Sequence, residues 1–405
     1  MKLSEVSQVD AMSSADSFII EAGGSERRVN LETLKGVLAS AVTTPPSTYT
    51  LEQNSNMAFD VSSNWAAYMY TSYMKGYLFK VVAGKVYAAL LNDSWDAFAD
   101  GTAIDNIENY ETMVRVPKCH FKGEGTKMIF GGLNPVAGGH TFDSPEWVGA
   151  YMMYVENNVG HSRPNVAPTH SKKMTEFWAA AQQLDSNFGL ANYQFQCLIN
   201  AVYQAYYGNL NSQDVIGSGF QHQSWEACRN VPMGKCISLG NGSGKVLYND
   251  ATLGNQYSVK LFGFEDLWGK LWEFRPGIRF YMDGDTRKAV VYSGNQVSNT
   301  ASGREFVCLA AANGEYITKM TLGEFWDMIP QAVGGSSSIY YADGAWAATG
   351  GELLLVGGSA NPGSRCGVAC SRSISGFSYS ATLIGARLAF YGTPILVDGS
   401  KLVAM

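Results

Sequence analysis

The sequence predicts an α+β protein, and two observations lead to this prediction. The chain has 405 residues, of which 46% are hydrophobic, 12% aromatic and only 16% charged, with 44 glycines. This composition is typical of a loop-rich β or α+β protein, and the length allows two or three domains. Two segments with helical spacing, 175–184 and 195–206, precede a long succession of short β-prone runs separated by Gly, Asn, Asp and Ser. Helices placed early and strands placed late favour the α+β class.

The first 46 residues are predicted to form a separate small module. Its expected elements are a strand at 18–21, a glycine turn at 23–24, a second strand or helix entry at 28–31, and helical spacing over 31–38. The Pro-containing run 43–47 has the composition of a linker. About forty residues bury too little apolar surface to be stable alone, so we expect this module to dock on a partner or to oligomerise.

The rest of the chain is predicted to contain two further domains. Residues 47–112 are rich in aromatic side chains, and the runs 76–82 and 84–90 predict a β-hairpin that turns at Ala83 and Gly84. We therefore expect a β-rich intermediate domain here. Residues 113–405 contain both helical segments and most of the β-prone runs, and are predicted to form the main domain.

Charge, hydropathy and cysteine usage exclude several classes of function. The net charge of −6 gives no electrostatic reason to bind nucleic acid or an anionic membrane surface. The start of the chain has no apolar signal-peptide core, and no apolar run approaches the roughly 18 residues that span a bilayer, so we expect cytoplasmic synthesis without membrane insertion. Seven cysteines, an odd number, predict reduced and mostly buried thiols.

A dense aromatic motif at 262–274 gives the first resemblance to a known family. The motif is similar to the Asp-x-x-Gly-Asn-Val-Trp-Glu-Trp sequence of formylglycine-generating-enzyme-like proteins, which have a variant of the C-type-lectin fold. Matching positions are Asp266, Gly269, Trp272 and Glu273, whereas Lys270, Leu271 and Phe274 depart from the motif.

Two other parts of the chain resemble the same family in the same order. The run 113–117 is similar to its opening strand, and Gly357-Gly358-Ser359 with Gly385-Ala386-Arg387-Leu388 is similar to its closing sequences. The resemblance covers about residues 113–392 and implies a C-type-lectin-like C-terminal domain. The other, smaller N-terminal modules are expected to be β-rich.

The catalytic residues of that family are not reproduced, which leaves alternatives for the chemistry. Its copper-dependent oxidases place a cysteine pair soon after the Gly-Gly-Ser, where this chain has Asn361 and Pro362. Cys366 and Cys370 could bind a soft metal, and Asp283-Gly284-Asp285 could ligate a calcium ion or form a plain turn. We expect no cofactor, no metal and no catalytic residues, with an oxidase or a calcium-dependent glycan-binding lectin as the alternative functions.

The closing segment, defined as residues 357–390, has a second resemblance. It is similar to the variable region of diversity-generating-retroelement proteins, which also use a C-type-lectin fold; Gly363-Ser364-Arg365 and Gly385-Ala386-Arg387 bracket it as in that family. Such retroelements mutate adenines, and this mutation does not produce Lys, Glu, Gln, Met or Trp. Residues 360–383 contain none of these five, although the same absence continues to Ser400. A fixed closing loop rich in small residues is the alternative interpretation.

This second resemblance implies a phage or prophage receptor-binding protein that displays a diversified surface on a rigid frame. Residues 1–46, which look like the start of phage tail-fibre proteins, would attach the chain to the virion, and family analogy implies a trimer. The expected partner is a host-surface protein or a glycan. Large and planar side chains dominate binding energy, so we expect Arg365, Ile374, Phe377 and Tyr379 to anchor the ligand. The positions predicted to be variable, exposed and ligand-binding are Ala360, Asn361, Pro362, Arg365, Val368, Cys370, Arg372, Ile374, Phe377, Tyr379, Thr382 and Leu383. The positions predicted to be scaffold are Gly357, Gly358, Cys366, Gly385, Arg387, Trp268 and Trp272.

Overall fold

The computed structural model divides the chain into two compact units, Met1–Ser47 and Thr48–Met405. It describes residues 17–22, 25–30, 48–53, 59–61, 65–338, 341–361 and 365–405. The described part is rich in sheet and has few helices, which is compatible with the predicted α+β class.

The strands, in chain order, are β1 (Ser17–Ala22), β2 (Ser25–Asn30), β3 (Tyr49–Gln53), β4 (Phe59–Val61), β5 (Gly76–Val82), β6 (Lys85–Leu90), β7 (Glu111–Arg115), β8 (His120–Glu124), β9 (Lys127–Gly132), β10 (His140–Thr141), β11 (Trp147–Met152), β12 (Tyr154–Glu156), β13 (Val159–His161), β14 (Phe188–Leu190), β15 (Gly244–Asp250), β16 (Gly254–Leu261), β17 (Phe264–Glu265), β18 (Trp272–Arg275), β19 (Ile278–Asp283), β20 (Thr286–Val291), β21 (Arg304–Val307), β22 (Ala312–Leu322), β23 (Asp327–Val333), β24 (Gly344–Ala347), β25 (Leu354–Val356), β26 (Ser371–Ser373), β27 (Ile384–Gly385), β28 (Arg387–Phe390) and β29 (Ile395–Leu396). The α-helices are α1 (Trp65–Ser72), α2 (Met174–Gln182), α3 (Tyr193–Tyr207), α4 (Ser212–Val215) and α5 (Gly399–Val403). Short 3₁₀ helices lie at Ile107–Asn109, Trp225–Asn230 and Ile237–Leu239.

In the first unit, β1 and β2 pair antiparallel, with Ser17 opposite Asn30. The strand predicted at 18–21 is therefore present, and the second strand ends where the sequence predicted a strand or a helix entry. The helical spacing at 31–38 and the linker at 43–47 lie outside the described residues.

One seven-stranded sheet in the second unit has the order β14-β28-β11-β7-β5-β6-β29. The predicted hairpin is confirmed, because β5 and β6 pair antiparallel around Ala83 and Gly84. Tyr77 and Phe79 alternate with their neighbours along β5, so both rings pack on one face against Trp147, with centroids 4.9 and 5.1 Å away.

The domain boundary predicted near residue 112 does not coincide with a division between compact units in the structure. β5 pairs with β7 in the sheet described above, with Gly76 opposite Val114 and Phe79 opposite Glu111. Residues 48–112 therefore share a sheet and a core with the part of the chain that follows, instead of forming an intermediate domain of their own. The boundary predicted near residue 46 lies next to the division between the two units.

A second seven-stranded sheet has the order β23-β22-β24-β26-β25-β18-β27 and contains most of the strands near the closing segment. The second unit also contains four smaller sheets, with the orders β10-β8-β9-β3-β4, β15-β16-β17, β19-β20-β21 and β12-β13.

The two predicted helices are present as α2 and α3. The Asn192 side chain caps α3 by accepting a hydrogen bond from the backbone N–H of Phe195 at 2.9 Å, and the helix ends at Gly208 as predicted. Most of α3 is buried, so its side chains form part of the main hydrophobic core. Among the described helices, none is long and apolar enough to cross a membrane.

Candidate ligand-binding pocket

A cavity of about 730 Å³ opens beside the closing segment. Its lining combines aromatic, amide and guanidinium side chains. We call it the segment pocket, and it is lined by Trp272, Asn313, Tyr316, Trp346, Ser359, Asn361, Arg365, Cys366, Arg372, Ile374 and Leu383.

Three neighbouring strands position one side of the segment pocket. In the register of the second sheet, Asn313 of β22 lies opposite Trp346 of β24, which in turn lies opposite Arg372 of β26. Residues in register on adjacent strands project from the same face of a sheet. An amide, an indole and a guanidinium are therefore placed side by side. The Trp346 ring also meets the Trp272 ring edge to face, with centroids 5.4 Å apart.

Two glycines allow the closing segment to approach the aromatic motif. Gly357 and Gly358 both have left-handed backbone conformations, with φ of +84° and +78°. A Cβ atom on Gly357 would lie 2.3 Å from the carbonyl oxygen of Leu267, and one on Gly358 would lie 2.4 Å from the Cys366 Sγ. Only glycine fits both the conformation and the space.

A buried ion cluster joins the end of the closing segment to the aromatic motif. Arg387 donates to the Glu273 carboxylate at 2.6 Å and to the backbone carbonyls of Gly149 and Ala150 at 3.1 and 2.9 Å. Arg275 donates to the same carboxylate at 2.7 Å, and all three ionic side chains are completely buried. Burial favours a raised pKa for Glu273, but the two guanidinium groups more than offset burial and lower this pKa from its ordinary value. The cluster links the two large sheets, because Glu273 lies in β18 and Arg387 in β28.

The seven positions predicted to be scaffold are all buried in the structure. They are Trp268, Trp272, Gly357, Gly358, Cys366, Gly385 and Arg387.

The predicted ligand-binding positions divide into three groups. Asn361 and Arg365 are exposed, and Pro362 lies outside the described residues. Half-buried positions are Arg372, Ile374, Phe377, Tyr379, Thr382 and Leu383. Of the twelve positions, the segment pocket brings together Asn361, Arg365, Arg372, Ile374 and Leu383. Phe377, Tyr379 and Thr382 do not line it.

Three of the positions predicted to be exposed are buried instead. Val368 is held against α3, because its carbonyl accepts hydrogen bonds from the side chains of Gln196 and Asn200 at 2.7 and 3.1 Å. Ala360 and Cys370 are completely buried, and each makes backbone hydrogen bonds to the frame. The closing segment is therefore exposed at Arg365, buried over residues 366–371 and half-buried again at Arg372.

A buried carboxyl group, that of Asp343, binds the buried part of the closing segment. Asp343 accepts hydrogen bonds from the Ala369 N–H at 2.9 Å and from the Gln213 side chain at 3.0 Å. Burial raises the pKa of Asp343 to about 7, although these hydrogen bonds lower it. Burial and the neighbouring Cys366 thiol raise the pKa of Cys370 well above its ordinary value. Cys370 is therefore a neutral thiol at physiological pH.

The surroundings of the candidate metal ligands are as follows. Among the described residues, no group of three or more His, Cys, Asp or Glu side chains is placed to hold a metal ion. Asp283 and Asp285 lie in the exposed β19–β20 turn, and the Asp283 carboxylate is paired with Lys288.

Sequence reasoning missed four residues of the pocket, namely Asn313, Tyr316, Trp346 and Ser359. The first three come from strands that precede the closing segment. Only the pairing of β22, β24 and β26 brings them beside it.

Comparisons with known proteins add the following. No family model and no curated protein matches the chain. Among solved structures, the chain is similar to variants of the Major Tropism Determinant.

Three variants of the Major Tropism Determinant match with similar values. The U1 variant is 15% identical with a TM-score of 0.29, and the match covers 78% of this chain and 72% of that chain. The P3c variant is 16% identical with a TM-score of 0.28 and the same coverage. The M1 variant is 15% identical with a TM-score of 0.29, covering 80% and 73%. TM-scores this low carry no argument about function, so the function is inferred from the chain's own residues.

Proposed function

We propose that this chain is a non-enzymatic receptor-binding protein of a phage or prophage and that it binds its ligand in the segment pocket. Its partner is a host-surface protein or a glycan. Residues 1–46 attach the chain to the virion, and the functional form is a homotrimer.

One observation carries the proposal. Five positions that the sequence resemblance assigns to a variable surface line one cavity: Asn361, Arg365, Arg372, Ile374 and Leu383. They are separated along the chain and are brought together by folding. Ligand sites are concave and hold a few convergent polar groups among apolar and aromatic ones, which is the composition of this lining.

The surroundings of the cavity support a display function. Gly357, Gly358 and the Glu273–Arg387 ion pair form the frame of the closing segment, and none of these residues lines the pocket. Binding sites commonly consist of changeable side chains on a rigid scaffold. A diversified surface would need its changeable lining residues to be different residues from those that hold the frame.

The C-type-lectin-like subtype of the fold is part of the same proposal. Two sequences that resemble this fold family contact one another, since β18 pairs with β27 and places Glu273 opposite Gly385. The Glu273–Arg387 ion pair joins the same two sequences. In addition, β28 returns from the end of the chain to pair with β11, which lies next to β7.

An oxidase is not favoured by the residues of the pocket. Asn361 stands at one of the two positions where the related oxidases have cysteine. Among the described lining residues, one has a thiol: Cys366, which is buried and donates to the Ser359 carbonyl at 3.2 Å. Its neighbour Cys370 is a neutral thiol, whereas nucleophilic and metal-binding cysteines react as thiolates.

Binding to intact bacteria tests the proposal. The labelled chain is titrated against a panel of bacterial strains, and the Asn361→Trp variant is compared with Asn249→Trp, a matched change at an exposed position of β15 that does not line the pocket. The indole at position 361 fills the cavity, so we expect binding to fall at least tenfold, with no loss for Asn249→Trp. Equal binding by both variants to every strain that the parent binds would contradict the proposal.

Diversification is tested separately by the gene locus. We expect a near-copy of the coding segment for residues 357–390 beside a reverse-transcriptase gene, with differences confined to adenines of the template. A complete locus without such a copy would leave a binding protein with a fixed surface.

A further inference from the structure

We propose that the segment pocket of this chain binds an acidic saccharide. This inference rests on the proposed function and adds the chemical class of the ligand. Three observations support it: the charge of the lining residues, the lining side chains that have no hydrogen-bond partner among the described residues, and the pairing of the strands beside the pocket.

Among the described residues that line the pocket, the charge is entirely positive. Arg365 and Arg372 are the lining residues there that carry a permanent charge, and none of the described lining residues has a carboxylate. The chain as a whole has a net charge of −6, so the pocket is a local exception. Clustered charge of one sign in a cleft concentrates ligands of the opposite sign.

Both guanidinium groups are positioned without being neutralised. Arg365 lies over the Tyr316 ring at 5.4 Å, and Arg372 lies over the Tyr379 ring at 5.5 Å. Within the described residues neither has an ion pair or a side-chain hydrogen bond, whereas every other described arginine after residue 65 has a carboxylate or a backbone carbonyl as partner. The arginines that have such a partner are Arg115, Arg163, Arg229, Arg275, Arg279, Arg287, Arg304 and Arg387.

The ring contacts explain how unpaired arginines can still select a ligand. A guanidinium that lies over an aromatic ring still has its N–H donors free to bind a carboxylate or sulfate through two parallel hydrogen bonds. The ring contact also limits the movement of the side chain before the ligand arrives, which lowers the entropic cost of binding. Two such groups on one cavity favour an anion.

The rest of the lining suits a sugar ring. Trp346 is half-buried and offers apolar ring surface, on which the C–H face of a saccharide can pack. The side-chain amides of Asn313 and Asn361 form no hydrogen bond with the described residues, so both can donate to and accept from sugar hydroxyls. A cavity of about 730 Å³ has room for a mono- or disaccharide.

An acidic peptide is less well suited to this pocket. Extended peptides commonly bind by adding a strand to a free sheet edge. The strands beside the pocket, β24, β26 and β25, lie inside the second sheet, and each is paired on both sides. Recognition here must use side chains, as a saccharide requires.

Paired glycans provide the test. The chain is titrated against 3′-sialyllactose, a sulfated lactose and a glucuronyl disaccharide, each beside its neutral parent sugar, and against a glutamate-rich peptide as competitor. We expect at least tenfold tighter binding to one or more acidic members than to their neutral parents. We also expect a clear loss of binding as NaCl is raised.

Variants identify the groups responsible. Arg365→Gln with Arg372→Gln removes both positive charges and should lower binding of the acidic glycan at least tenfold. Arg279→Gln is the matched control, because Arg279 also stacks on a tyrosine, Tyr281 at 5.1 Å, but does not line the pocket. Unchanged thermal midpoints would show that all variants fold.

Three outcomes would overturn the inference: no preference for any acidic glycan over its parent, unchanged binding by the double variant, or equal competition by the glutamate-rich peptide. If Asn361→Trp abolishes binding to cells while the double arginine variant does not, the acidic saccharide is wrong and the proposed function stands.

Discussion

Replacing Glu273 by Gln tests whether the buried ion cluster holds the frame of the pocket. The change keeps the shape of the side chain but removes the negative charge that, among the described residues, pairs with both Arg275 and Arg387, with contacts of 2.7 and 2.6 Å. All three side chains are completely buried, so water cannot replace the lost charge. Removing one partner of a buried ion pair typically costs about 3–5 kcal/mol.

This cost can be converted into a change of melting temperature. An unfolding entropy of about 2.1 cal/mol/K per residue gives residues 48–405 about 0.75 kcal/mol/K, so Glu273→Gln should lower the midpoint by roughly 4–7 °C. Glu226→Gln is the control, because that side chain is 55% exposed and lies 3.7 Å from Arg229. Such exposed pairs contribute at most about 0.5 kcal/mol, which corresponds to under 1 °C.

The assay is differential scanning calorimetry of both variants and the parent at pH 7. A double-mutant cycle with Arg387→Gln then isolates the coupling between positions 273 and 387, which should exceed about 1 kcal/mol for residues in direct contact. If Glu273→Gln and Glu226→Gln shift the midpoint equally, the cluster does not stabilise the frame and our account of the closing segment is wrong.

Three further predictions concern the same region. The pKa of Asp343 is raised to about 7 from an unfolded value near 4, so the folded state binds this proton more tightly and its contribution to stability is lost as pH rises from about 4 to 7. Asp343→Asn should therefore gain stability relative to the parent between pH 5 and pH 8, by about 3 kcal/mol; a pH-independent difference between the two midpoints would contradict this. Gly358→Ala should cost about 2–4 kcal/mol through backbone strain and overlap with the Cys366 Sγ, whereas Gly84→Ala, with a similar φ of +71° and open space around it, should cost only about 1 kcal/mol. Equal chemical-denaturation midpoints for the two glycine variants would refute the steric argument. Because all seven cysteines are free and buried, a thiol reagent should label none rapidly in the folded chain and seven after denaturation, and rapid labelling of the native protein would contradict the buried thiols.

Local chemistry made much of the frame predictable from the sequence. The β5–β6 hairpin follows from two β-prone runs around a glycine turn, and the two helices follow from their apolar spacing. The resemblance to the closing sequences of a known family predicts Gly357, Gly358 and Arg387 as scaffold, and in the structure all three are buried.

Tertiary contacts decided what the sequence could not. Val368 reads as part of an exposed segment, but its carbonyl is bound by Gln196 and Asn200 of α3, which are more than 160 residues away along the chain. The intermediate domain was predicted because the composition changes near residue 112, yet strand pairing joins β5 to β7 across that point. Trp346 likewise enters the pocket only through the register of β24 with β26.

The central claim is that a fixed frame holds a binding surface whose side chains can change. Selection from a library tests it most directly: the codons for Asn361, Arg365, Arg372, Ile374 and Leu383 are randomised, the displayed chains are selected on several bacterial strains, and the recovered clones are sequenced and melted. We predict that different strains select different residue sets at these five positions, with melting temperatures within a few degrees of the parent. Recovery of the parent residues alone on every strain, or binders whose changes lie in the frame and not in the pocket, would contradict the claim.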